Sequence, residues 1–127
     1  MGENVDVGYT RYSVRRAWYS DNLSSNEFLN EKPNGSFLFI ELSVRNNDNE
    51  ARTIPPFELV DRTGARYETS SNAWRVDGSI GLLESLNPGV SKRGFIVFDV
   101  PKGRKYMLDV SGGYWSSESA RIRIDTK

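Results

Sequence analysis

The chain has 127 residues, 37% of them hydrophobic and 27% charged, and its 17 Lys and Arg residues balance its 17 Asp and Glu residues. This size and composition predict a single domain over residues 1–127, with a core from about residue 5 to residue 125. The lack of a basic excess argues against a nucleic-acid partner. Because the sequence has no Cys and no His, it excludes disulfides, Cys- or His-ligated metal sites and catalysis by a serine–histidine or cysteine–histidine pair, and we expect no cofactor.

Alternation of apolar and polar residues predicts strands at residues 5–9, 11–19 and 37–45 in the first part of the chain. The alternation slips at Arg15-Arg16, so a β-bulge there would bring the apolar residues of the second strand to one side. These residues are Tyr12, Val14, Ala17 and Tyr19. The polar stretch over residues 21–36 predicts a long loop.

The strand at residues 37–45 has one strongly apolar face, which we expect to be buried. That face carries Leu38, Ile40, Leu42 and Val44. The opposite face combines Phe37 and Phe39 with Glu41 and other polar residues.

The second part of the chain continues with short strands separated by turns. Residues 95–100 are apolar on both faces, which favours a central strand, and residues 120–125 alternate as a half-buried strand near an edge. Further strands are predicted at residues 57–61, 65–69 and 106–110. Gly64 fits a tight hairpin and Pro88-Gly89 fits the middle of a type II turn, while residues 80–86 have the spacing of a helical turn. Many short strands without an amphipathic helix predict a sandwich or a barrel.

The order of these elements resembles that of a known family. The segments that carry the resemblance are Val7-Gly8-Tyr9, Tyr12-Ser13-Val14, Val44-Arg45-Asn46-Asn47, residues 57–67, Leu86-Asn87-Pro88-Gly89-Val90, residues 94–101 and Ile122. They resemble a widespread bacterial family of domains of unknown function, found mostly in lipoproteins and secreted proteins. The resemblance implies an all-β, immunoglobulin-like β-sandwich of about seven to nine strands in two antiparallel sheets, similar in fold to a secreted immunoprotective antigen of mycobacteria.

The aromatic residues are the first candidate ligand-binding site. Trp18, Trp74, Tyr114 and Trp115 offer rings that stack on sugars or other flat ligands, and Tyr114-Trp115 follows a glycine pair near a predicted loop tip. The alternative is that these rings close the ends of a small hydrophobic core.

Two other segments have alternative interpretations. Residues 46–50 contain Asp48 and Glu50, oxygen ligands that Ca²⁺ accepts, but the segment lacks the pattern of a helix–loop–helix calcium site and also fits an ordinary turn. Residues 92–98 have the basic-Gly-aromatic order of an RNA-recognition strand, but Ile96 stands where that motif requires a small residue, so a buried strand explains the segment better.

The functional hypothesis is a non-catalytic, extracytoplasmic binding domain. The resemblance implies a location that is secreted or envelope-anchored through a leader not present in this chain, with a protein or glycan of the cell envelope as partner. No apolar run approaches the roughly 20 residues of a membrane helix, and we expect a monomer or a weak homodimer through a sheet edge. The alternatives are a carbohydrate-binding module that uses the exposed aromatics and a carboxylate-based hydrolase, which needs two acids in one pocket.

Overall fold

The computed structural model describes residues 1–23, 32–71, 76, 78–80, 84–112 and 118–126. Within these residues the chain forms short antiparallel strands, as the alternation predicts. They are β1 (Asn4–Val7), β2 (Thr10–Ser20), β3 (Ser36–Asn46), β4 (Arg52–Thr53), β5 (Glu58–Asp61), β6 (Arg66–Glu68), β7 (Ser85–Leu86), β8 (Ser91–Val100), β9 (Tyr106–Ser111) and β10 (Ser119–Ile124).

The strands form two four-stranded sheets and a short ribbon. The first sheet has the order β1-β2-β3-β8, the second has the order β10-β9-β5-β6, and β4 pairs with β7. All of these pairs are antiparallel, so the fold is the two-sheet β-sandwich that the sequence predicts. The half-buried strand predicted near an edge, β10, ends the order of its sheet.

The main core lies between the two sheets, and the predicted inner faces line it. The apolar face of β3 is buried, since the exposure of Leu38, Ile40, Leu42 and Val44 does not exceed 1%. The register of β2 against β3 shifts between Val14 and Arg16, which confirms the predicted bulge. Because of that extra residue, Val14 before it and Ala17 after it both face the core.

A second hydrophobic cluster covers part of the outer face of the first sheet. Phe37 and Phe39 of β3 and Val97 of β8 pack there with Leu23 and Val76, which come from the segments after β2 and before β7. Burial on both faces explains the apolar character of β8. The prediction that this strand is central is wrong, because β8 ends the order of its sheet.

The outer edge of β8 is occupied by an irregular segment of the chain. The amide of Phe95 donates a hydrogen bond to the carbonyl of Gly78 (3.1 Å), and the amide of Ile80 donates one to the carbonyl of Phe95 (2.9 Å). The amide of Ser70 binds the carbonyl of Val97 in the same way. These bonds protect an edge that would otherwise offer unpaired backbone groups to another strand.

The tight turns match their predicted chemistry where they are described. At residues 87–90 the amide of Val90 donates to the carbonyl of Asn87, and Gly89 has a φ of 76°, as the third position of a type II turn requires. Leu86 belongs to β7 rather than to the predicted helical turn, while residues 81–83 of that turn and residues 24–31 of the predicted long loop lie outside the described residues.

Candidate functional site: an arginine-rich face of the first sheet

Five arginines lie together on the outer surface of the first sheet, at the end opposite the second hydrophobic cluster. We call this surface the arginine face, and it consists of Arg11, Arg15, Arg16, Arg45 and Arg93. The strand register aligns Arg11 with Arg45 and places Arg93 opposite Ser43 and Arg16 opposite Glu41. Successive outward positions on one strand are about 6.6–6.8 Å apart, so the arginines occupy neighbouring positions on a flat surface.

The β-bulge in β2 brings two consecutive arginines to this surface. Arg15 and Arg16 lie between the inward-facing Val14 and Ala17, and both arginines are exposed. In a regular strand, one of two consecutive residues would face the core. Bulges often redirect a side chain next to a functional site, and here the extra residue doubles the positive charge that β2 contributes at this point.

Glu41 joins two of the arginines and fixes their positions. Its Oε1 accepts a hydrogen bond from Nε of Arg16 at 2.6 Å, and its Oε2 accepts one from Nε of Arg93 at 2.9 Å. The Glu41 side chain is only 7% exposed, whereas Arg16 and Arg93 are 54% and 58% exposed. The hydrogen bonds from Arg16 and Arg93 lower the pKa of the Glu41 carboxyl, so Glu41 stays ionised and holds both guanidinium groups at the surface.

Arg11 and Arg45 are direct cross-strand neighbours and repel each other. Each has a polar partner: Nε of Arg11 binds Asp6 at 2.7 Å and Nε of Arg45 binds the side-chain oxygen of Asn47 at 2.9 Å. Like charges placed opposite each other destabilise a sheet. A pair that lowers stability in this way is typical of a surface selected for binding rather than for folding.

Trp18, the first predicted ligand-binding residue, borders the arginine face. Its ring stacks on Phe39 with a centroid distance of 5.4 Å and meets Phe95 edge-on at 5.8 Å. The guanidinium carbon of Arg16 lies over the same ring, 4.7 Å from its centroid. These contacts suit Trp18 to hold Arg16 in place by a cation–π interaction, and they compete with stacking on a sugar.

The other predicted aromatic residues, Trp74, Tyr114 and Trp115, lie outside the described residues. The carbohydrate-binding hypothesis that depends on them therefore stays a prediction.

The predicted calcium segment is organised by its own hydrogen bonds. Oδ2 of Asp48 accepts a hydrogen bond from Nε of Arg52 at 2.6 Å, and the buried Asn46 amide donates to the carbonyls of Glu50 (2.7 Å) and Leu86 (2.9 Å). The hydrogen bond from Arg52 lowers the pKa of Asp48. In the part of the chain that is described, no three acidic side chains come close enough to hold a metal ion, and the arrangement fits a stable turn.

The described carboxyl groups whose pKa is shifted all have a lowered pKa. Asp61 accepts hydrogen bonds from the hydroxyl of Thr63 (2.6 Å) and of Tyr67 (2.9 Å), and these bonds lower its pKa to about 2. Asp99 accepts the amides of Asn34 and Gly35, both at 2.8 Å. A general acid needs a raised pKa, which none of these shifted groups has.

The arginine face could have been predicted from the sequence only in part. Arg11 and Arg45 occupy polar positions of strands whose inner faces the alternation identifies, and Arg15-Arg16 marks the bulge. The order of the strands in the sheet, which brings β2, β3 and β8 together, depends on contacts between distant residues. None of the five arginines was therefore predicted as part of a site.

Comparisons with known proteins identify a family and several related folds. The family model described as Domain of unknown function (DUF4352) matches residues 1–122. No curated protein matches the chain by sequence.

Solved structures with the same fold come from several bacteria. A conserved hypothetical protein from Bacillus anthracis is 19% identical with a TM-score of 0.72, over 98% of this chain and 94% of that one. The Bacillus subtilis ycdA protein, described as a "putative lipoprotein", is 15% identical with a TM-score of 0.76, over 98% of this chain but 39% of that one. The secreted protein MPT63 of Mycobacterium tuberculosis is 14% identical with a TM-score of 0.67, over 98% and 92%.

The family match confirms the predicted family resemblance, and the solved structures confirm the predicted fold. At such low sequence identities the solved structures establish the fold alone. None of the described residues forms a helix long and apolar enough to span a membrane.

Proposed function

Because the chain belongs to the DUF4352 family of domains of unknown function, we propose a role for it from the chemistry of its own surface. The protein is a non-catalytic binding domain that acts outside the cytoplasm and contacts its partner through the arginine face. The observation that carries this proposal is the pair of exposed arginines held by one buried carboxylate, Arg16 and Arg93 on Glu41. Guanidinium groups held in this way lose little conformational entropy on binding.

The composition of the surface supports a binding role. Arg and Trp are the residue types most enriched among the residues that dominate binding energies, and here Trp18 packs directly against Arg16. The like-charged neighbours Arg11 and Arg45 lower the stability of the sheet, and an anionic partner would relieve that repulsion.

An extracytoplasmic location is supported by two proteins of the same fold. One is described as a "putative lipoprotein" and one as a secreted protein. The absence of Cys agrees with a domain whose stability does not depend on the redox state of its surroundings.

The test compares the wild-type domain with two variants for binding to isolated cell envelopes of the source organism. Arg15→Gln/Arg45→Gln neutralises two arginines of the face that do not contact Glu41, so its carboxylate keeps both partners. Arg121→Gln/Arg123→Gln is the matched control, because these two arginines are exposed on β10 of the second sheet. Circular dichroism and urea unfolding check that both variants are folded.

We expect the face variant to bind at least tenfold more weakly than wild type and the control to bind like wild type. Equal binding by all three proteins would show that the arginine face is not the contact surface, and an equal loss in both variants would show that only net charge matters.

A further inference from the structure

We propose that the partner of the arginine face is a linear polymer other than a nucleic acid that carries phosphate groups, an inference that rests on the proposed function. It would lie across β2, β3 and β8 and be recognised by charge and hydrogen bonding.

Charge is unevenly distributed over the surface of the protein. The whole chain is neutral, but the face carries five arginines against two acidic residues, Asp6 and Glu41. Both acids are already engaged, Asp6 by Arg11 and Glu41 by Arg16 and Arg93. Among the described residues, three positive charges of this surface therefore have no acidic counterpart there, and a polyanion would supply it.

All the positive charges of the face are guanidinium groups of arginine. The planar guanidinium group of arginine matches the oxygens of phosphate in a bidentate way. Glu41 demonstrates a related geometry, since each of its two oxygens accepts from a different arginine. A phosphate inside a polymer carries its charge on two non-bridging oxygens and has bridging oxygens as further acceptors, so one phosphate can bridge neighbouring arginines and still accept from one of the serines between them, Ser13, Ser43 or Ser91.

The arginine face does not suit partners that need apolar contact. Four large hydrophobic side chains are exposed in the described structure, and none of them belongs to β2, β3 or β8: Met1, Tyr9, Val90 and Met107. A protein interface requires an apolar centre and a peripheral membrane protein inserts apolar groups, and the arginine face offers neither. The ring of Trp18 is engaged by Phe39 and Arg16, so it does not provide the stacking platform of a single-stranded nucleic-acid site.

The test measures the affinity of the full chain for long-chain inorganic polyphosphate by fluorescence anisotropy at 50 and 200 mM NaCl. If three to four phosphates are neutralised, the affinity should fall roughly 20- to 50-fold between these salt concentrations. Each lost phosphate contact should reduce the magnitude of the slope of log affinity against log salt concentration by about 0.7. The variant Arg15→Gln/Arg45→Gln, which loses two contacts, should therefore reduce it by about 1.4. The control Arg121→Gln/Arg123→Gln should keep the wild-type slope.

Three further probes decide between polymer classes: polyglutamate, single-stranded DNA of equal charge and vesicles with anionic lipids. Weaker binding to all three than to polyphosphate supports the proposal. Equal or tighter binding to any of them overturns it in favour of a carboxylate polymer, a nucleic acid or a lipid surface.

The two proposals fail in different ways. If polyphosphate does not bind, or binds both double variants equally, while binding to cell envelopes still depends on Arg15 and Arg45, the phosphate proposal is wrong and the proposed binding surface stands. If neither measurement depends on these arginines, both are wrong.

Discussion

The hydroxyl of Tyr12 donates a 2.5 Å hydrogen bond to the main-chain carbonyl of Ser111, and this bond ties β2 of one sheet to β9 of the other. Tyr12 is fully buried, and its ring meets Phe57 edge-on at a centroid distance of 5.9 Å. Burial raises the pKa of its hydroxyl, so the group remains a hydrogen-bond donor at any pH at which the domain is studied.

Replacing Tyr12 with Phe should lower the free energy of unfolding by about 1 kcal/mol, because the ring contacts remain and one buried hydrogen bond is lost. Urea unfolding followed by circular dichroism measures the change. Tyr9→Phe is the control: Tyr9 is 59% exposed in a turn, and its variant should stay within about 0.5 kcal/mol of wild type. A Tyr12→Phe domain as stable as wild type would mean that the bond between the sheets adds nothing.

Asp61 should make the domain sensitive to acid. Its folded-state pKa of about 2 lies below the ordinary value of 3.8, chiefly because the Thr63 hydroxyl donates to the carboxylate, with help from Tyr67 and two backbone amides. A group with a lowered pKa stabilises the fold fully above its unfolded pKa, so this contribution is present above about pH 4 and is lost as the pH falls through 2. Unfolding midpoints in urea at pH 7, 4 and 2 measure the loss.

The variant Asp61→Asn should be less stable than wild type at pH 7 and should lose less stability between pH 4 and pH 2. If the urea unfolding midpoints of the two proteins fell equally between pH 4 and pH 2, the hydrogen bonds to Asp61 would not lower the pKa of its carboxyl group.

Gly94 should be required for covering the edge of β8. A Cβ at this position would lie 2.5 Å from the carbonyl oxygen of Gly78 and 3.0 Å from Cγ1 of Ile80, so Gly94→Ala must push the covering segment away. The exposed backbone would then pair with other strands, and light scattering should detect association that the wild type does not show.

Gly103→Ala is the matched control for that experiment. Gly103 has a φ of 85° and nothing within 4 Å of the added carbon, so its variant should lose about 1 kcal/mol of stability from backbone strain and remain in the association state of the wild type. If both variants associated equally, the association of Gly94→Ala would not result from exposure of the β8 edge.

The repulsion between Arg11 and Arg45 gives a prediction of the opposite sign. Arg45→Gln removes one of two like charges that face each other across β2 and β3, and it should raise the free energy of unfolding by roughly 0.2–1 kcal/mol. Arg123→Gln, which removes an exposed arginine on β10 beside Asp125, should not stabilise the domain. The gain at Arg45 should shrink at 1 M NaCl, because salt screens surface charges; a gain independent of salt would contradict this explanation.

Local sequence signals predicted much of this fold, and distant contacts explain what they missed. The inner faces of β2 and β3, the bulge at Arg15-Arg16 and the turn at Gly89 follow from alternation and backbone chemistry within a few residues. The burial of Phe37 and Phe39 on the outer face cannot be predicted from such local signals, because Leu23 and Val76 cover these rings from separate segments. The same limit hid the arginine face, whose members meet only once β2, β3 and β8 are adjacent.

The bulge in β2 also bears on how this strand can change during evolution. Before it, the inward residues Tyr12 and Val14 have even numbers, and after it Ala17 and Tyr19 have odd ones, so the two halves of the strand are out of step by one position. Deleting Arg15 or Arg16 would remove the bulge and bring the two halves into one regular alternation, with Tyr12, Val14, Ala17 and Tyr19 still facing the core. The core therefore does not require the extra residue, and what its loss would remove is one of the two adjacent outward arginines.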